Sequence, residues 1–183
     1  MFGLGKKKVP IDDAIDAYIH HSLSIIDHCF PVWFDHFSKA LPIVISDMKK
    51  LQSINIKEVK KAYTISTIAY GFRPAKNLFG ETISIILHSN FKIQLKKWLK
   101  DDDEWMIGEV LYLYNKIDEE MGFFVLPQST IIKYIVEKAG IRKLYDVNGQ
   151  VSREELFLDA ACMTFVVIGN ETFWKDFSER FKF

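Results

Sequence analysis

Along most of this chain apolar residues return every three or four positions, the period of an α-helix and not the two-residue alternation of a half-buried strand. From Ile11 to Phe30, with Asp16 at zero and about 100° per residue, Ile11, Ala14, Ile15, Tyr18, Ile19, Ile25, Ile26, Cys29 and Phe30 fall between about 160° and 320°. They form one continuous apolar face. Asp12 and Asp13 suit the first turn, where the helix dipole is positive. Pro31 should break or bend this helix, or start the next one.

The same reading predicts a second helix over 32–51, kinked at Pro42, and a third after Asn55, ending near Gly71. Gly71-Phe72-Arg73-Pro74 reads as a turn. Helices are then expected over 76–89 and 91–100, separate or joined with a defect at Ser89-Asn90. Asp101 to Glu104 open a helix that Gly122 ends, and Ser129 caps one that stops at Gly140. Ser152 and Glu155 form a capping box for a helix through Ile168. Asn170 caps a last helix carrying Phe173, Trp174, Phe177 and Phe181. The expected fold is all-α: a compact bundle or irregular array of about seven to eight helices, with no strand. It is expected to be one domain over residues 1–183, with 122–128 the nearest thing to a boundary.

Composition narrows the class. Of 183 residues 49% are hydrophobic, with 9 Gly and 5 Pro, which excludes disordered and collagen-like chains. Two isolated cysteines, Cys29 and Cys162, make neither a disulfide framework nor a metal-binding spacing, and are expected to be reduced core thiols. Lys6 to Lys8 are followed by Pro10 and Asp12-Asp13 instead of a signal peptide's apolar run. The longest strongly apolar stretch, 160–169, is about half a membrane span. The expected location is therefore cytoplasmic.

Charge is balanced overall, 24 basic against 24 acidic residues, but unevenly spread. Residues 1–100 carry a balance of +7 and residues 101–183 one of −7. Lys57, Lys60, Lys61, Lys96 and Lys97 form a basic patch, with Tyr63, Tyr70 and Trp98 as stacking groups if the partner were nucleic acid. Only four of the basic residues are Arg, the side chain that phosphate and base recognition favours, which disfavours that reading. Two plainer readings are an acidic neighbour within the fold and a head-to-tail contact between copies.

Candidate chemistry is sparse. Asp16, His20 and Asp27 line up on one stripe of the first helix, with His28 nearby, as a carboxylate–histidine metal set would. The stripe lies opposite the apolar face, whereas ligands in a helical bundle project inward from several helices. Residues 144–155 resemble a calcium-binding EF-hand loop, placing Asp146, Asn148 and Glu155 at ligand positions. Leu144 stands where that loop needs its first Asp, and an Asn-Gly turn followed by a capping box explains the same residues. No nucleophile elbow, phosphate loop or dinucleotide fingerprint occurs, and no cofactor is expected. The aromatics are more telling. Phe173, Phe177 and Phe181 recur every fourth residue beside Trp174, a stripe that either docks on the core or meets a partner.

The sequence thus favours a non-enzymatic interaction module: an adaptor, inhibitor or neutralising partner, or a homo-oligomeric scaffold. A helical small-ligand or metal-binding protein using the first helix stands second, and nucleic-acid binding through residues 49–100 third.

Overall fold

A computed structural model describes residues 6–44, 54–98, 104–122, 127–140 and 167–183. Helix accounts for 89% of them, so the fold is all-α. In chain order the elements are β1 (Lys7–Lys8), α1 (Ile11–Val44), α2 (Ile56–Tyr70), α3 (Phe72–Phe79), α4 (Glu81–Trp98), α5 (Glu104–Gly122), α6 (Pro127–Lys138), α7 (Ile168–Arg180) and β2 (Phe181–Lys182).

The expected division into seven to eight helices is slightly off, because the chain is cut at different places. Pro31 and Pro42 do not end a helix; both lie inside α1. A proline inside a helix costs about 3 kcal/mol. Phe30, Trp33 and Phe37 flank Pro31 and are all buried. Burying each such side chain contributes about 1.5–3 kcal/mol, so together they outweigh the proline. Both prolines face solvent, where water can satisfy the carbonyls they leave without a donor.

Ser89 and Asn90 make no break either. Ser89 turns its hydroxyl onto the carbonyl of Ile85 (2.6 Å), and Asn90 donates to Asp12 of α1 (3.2 Å). The turn expected at 71–74 is a single residue, Gly71, in right-handed helical conformation, and α3 begins at once. Pro74 fits the first turn of α3, whose N–H groups have no partner within the helix. Asn55 does cap α2, its side chain accepting from the N–H of Lys57 (3.0 Å).

The middle of the molecule is α2, which packs against α1, α3, α5 and α6. From Ile65 to Tyr70 every residue of it is buried. Ser66 and Thr67 return their hydroxyls to the carbonyls of Ala62 (2.7 Å) and Tyr63 (2.9 Å), which satisfies them inside the core. Around α2, α1 lies against α4, α5 against α6, and α7 against α3 and α1.

The expectation of no strand is corrected at the ends of the chain. Lys7 and Lys8 pair in parallel with Phe181 and Lys182, and the N–H of Val9 donates to the carbonyl of Lys182 (2.9 Å). This short clasp ties the start of α1 to the end of α7.

Candidate functional site

Where α1 and α7 run side by side, a buried polar joint fixes their spacing. Tyr18 of α1 lies among Phe72, Phe173 and Trp174, with ring centroids 5.5, 5.7 and 5.3 Å away. Its hydroxyl sits over the carbonyls of Thr67 (3.1 Å) and Ile68 (2.8 Å) in the last turn of α2, whose carbonyls have no helical donor. Burial pushes its phenol far above the ordinary value, so the proton stays on the oxygen. Asn170 adds a second donor to Thr67, at 3.1 Å. Asn170 was expected as a cap. Since α7 starts at Ile168, Asn170 lies inside the helix and is spent on this cross-link. Tyr70 reaches Glu171 of α7 at 2.9 Å.

Outward from this joint lies a groove of about 420 Å³. One wall is Asp13, Ala17 and His21 of α1. The other is Phe173, Phe177 and Phe181, with Thr172, Asp176 and Arg180 along its rim, and Val9 stands beside Phe181 at the clasp. His21 stacks on Phe173, centroids 4.7 Å apart, and its Nε2 lies 3.3 Å from the carbonyl of Gly169. A carbonyl only accepts, so this contact places the ring proton on Nε2. Burial lowers the pKa of His21, the Gly169 carbonyl partly opposes it and neighbouring His20 adds to it. The groove therefore presents a neutral imidazole at pH 7, aromatic walls, and a rim of two carboxylates and one guanidinium.

The aromatic stripe is divided by this geometry. Trp174 is fully buried and Phe177 nearly so, while Phe173 and Phe181 are half-buried and border the groove. Phe79 of α3 receives Trp174 and Phe177 edge-on at 6.0 and 6.3 Å. The stripe thus docks on the core with one edge and lines a groove with the other.

The other predicted residues lie outside the lining of this groove. Asp16, His20, Asp27 and His28 stay on the outer side of α1. Asp27 meets Lys60 at 3.5 Å, and Nδ1 of His28 bonds the Ser24 carbonyl at 2.8 Å. Among the described residues no three His, Cys, Asp or Glu side chains stand where they could hold a metal ion. The calcium-like set Asp146, Asn148 and Glu155 lies outside the described residues. Cys29 is a free, half-buried thiol that burial makes less acidic.

Lys57, Lys60, Lys61, Lys96 and Lys97 are exposed, but two of their expected stacking partners are not: Tyr63 and Tyr70 are buried. The side chain of Trp98 lies outside the described set. Lys61 bonds Glu58 (3.0 Å) and stands 5.3 Å from the centre of the Trp105 ring, and Lys97 bonds Gln94. Between α3 and α5 the opposite charges of the two chain halves meet within the fold, with Arg73 and Lys76 3.0 and 3.2 Å from Asp118.

A second, polar cleft of about 200 Å³ lies between α4 and α5, lined by Lys76, Glu81, His88, Tyr114 and Asp118 among others. Nε2 of His88 is buried there with no hydrogen-bond partner among the described residues, and burial lowers the pKa of its ring. Sequence reasoning passed over His88, which lies apart from the other four histidines. It also missed Val9, Asp13, Ala17 and His21 as a wall. The available signal was the spacing of 13, 17 and 21, with a small residue between two polar ones.

No protein-family model, curated protein or solved structure matches this chain. Among the described residues no helix is long and apolar enough to cross a membrane.

Proposed function

We propose that this chain is a non-enzymatic, cytoplasmic protein-interaction module that receives an amphipathic helix between α1 and α7. The observation that carries this reading is the groove itself: two helical walls, aromatic on one side, open along the surface. Grooves of this kind take the apolar face of a helix as a row of side chains at helical spacing. Aromatic residues are what interface centres are enriched in. Ala17 leaves room at the middle of one wall for an incoming side chain.

The test is selection from a displayed library of short amphipathic helical peptides. Wild-type protein should capture a consistent set with apolar residues at helical spacing. Ala17→Glu puts a charge in the groove at an exposed position, so the fold should keep its thermal midpoint while capture falls at least about tenfold. Failure to capture any peptide, or equal capture by the variant, would refute the reading.

A further inference from the structure

The occupant of this groove is legible on the same molecule. Helix α4 buries Leu87, Phe91 and Leu95 against the core, while Ile85 and Ile93 on its outer side are each 62% exposed. Singly exposed isoleucines need no explanation. These two stand eight residues apart on one ridge, Ile85–Ser89–Ile93–Lys97. The wall on α1 is built the same way, 13, 17 and 21 also spanning eight residues of helix, and faces 173 and 177 of α7 with Phe181 of β2 just beyond them. Eight residues of helix cover about 12 Å. Ridges formed at every fourth residue pack into the gaps between ridges of the same kind, the commonest way helices meet.

Charge agrees with shape. The ridge ends in exposed Lys97 with Lys96 beside it, and the groove rim holds Asp13 and Asp176 against one Arg180. A copy cannot fill its own groove this way, because α4 packs on α1 through its inner face and turns Ile85 and Ile93 outward.

We infer that the groove between α1 and α7 receives the outer ridge of α4 from a second copy of this chain, with Ile85 and Ile93 between the two walls. This rests on the interaction reading above and names its partner. Because the two surfaces differ, the contact is heterologous. It closes as a dimer if two copies exchange ridges and runs on as a chain if they do not.

The experiment is light scattering coupled to size exclusion over about a hundred-fold range of concentration. Wild-type protein should exceed monomer mass as concentration rises. The ridge variant Ile85→Glu/Ile93→Glu and the groove variant Ala17→Glu should each run as monomers with near-native thermal midpoints, since all three positions are exposed. Mixed in equal amounts, they should form a one-to-one heterodimer, because one keeps an intact groove and the other an intact ridge. Three results would overturn the inference: a monomeric wild type throughout, oligomers that survive either variant, or a mixture that behaves as its separate components. If wild type stays monomeric but still captures peptides that Ala17→Glu loses, only this inference falls. If neither association nor groove-dependent capture occurs, the interaction reading falls with it.

Discussion

At Gly71 a single missing side chain decides how two helices meet. A Cβ at this position would overlap the Tyr18 hydroxyl oxygen and ring carbon Cζ. Tyr18 is fully buried and held by rings on three sides, so it has nowhere to retreat. Gly71→Ala should therefore expel the hydroxyl from the carbonyls of Thr67 and Ile68 and cost about 3 kcal/mol. Tyr18→Phe keeps the ring and removes only the hydroxyl. Asn170 still serves Thr67, so its cost should be smaller, about 1 kcal/mol. Urea unfolding of both variants checks the order, and a Gly71→Ala protein as stable as wild type would show that the ring moves freely. The sequence showed Gly71 as punctuation but not its purpose. Its neighbour in space lies 53 residues earlier in the chain, and no local pattern encodes that approach.

At the scale of elements, what local pattern carries was readable and what tertiary contact decides was not. Asn55, Gly122 and Gly140 mark ends of α2, α5 and α6 because caps and stops act within a few residues. Pro31 misled because its penalty is local, whereas Phe30 and Trp33 find Tyr63 on another helix. Asn170 misled for the same reason, since its preferred local role lost to a bond across the core. The apolar edge of α7 was visible in the spacing of its phenylalanines, but the facing wall on α1 shows no apolar stripe. The cleft between α4 and α5 gave no signal at all, yet it sets an acid limit for the fold. The His88 ring lies tilted against Tyr114, centroids 4.8 Å apart, with Lys76, Glu81 and Asp118 also in the lining. Burial lowers the pKa of His88, and burial also dominates the lowering at His21. Well above pH 6.5 both rings are neutral folded or unfolded, and they add no pH dependence. As pH falls below that value the unfolded chain takes up protons that the native state resists, so stability drops until the native pKa values are reached. Glu109 does not confuse this window. Burial raises its pKa, but hydrogen bonds from Tyr134 (2.8 Å) and Lys138 (3.1 Å) outweigh that and leave it below the usual carboxylate value. Its contribution is lost only in more acidic solution. Thermal midpoints across the range below pH 6.5 should fall more steeply for wild type than for His21→Gln/His88→Gln, and parallel curves would rule the histidines out.

Over the whole molecule, the two ends of the described chain are tied together, and that tie completes the groove. The pairing of Lys7–Lys8 with Phe181–Lys182 is too short to be stable as a sheet. It holds because the residues around it are aromatic. Phe181 packs on Phe177 at 4.9 Å, and Phe183 packs on Phe79 at 4.8 Å and on Phe177 at 5.8 Å. Both rings are half-buried, so truncating either to Ala should cost about 1–2 kcal/mol, less than for a fully buried phenylalanine. Stability alone would not separate them, but their neighbours do. Phe181 borders the groove next to Val9, while Phe183 is not in its lining and packs on Phe79 of α3 and on Phe177. Phe181→Ala should therefore weaken capture of an amphipathic helix well beyond its effect on folding. Phe183→Ala, with a similar loss of stability, should leave capture within about twofold of wild type. Denaturant unfolding and peptide binding on the same two proteins make the comparison. If both variants lose capture in proportion to stability, the clasp acts only by holding α7 in place. If Phe181→Ala alone loses it, the end of the chain is itself part of the binding wall.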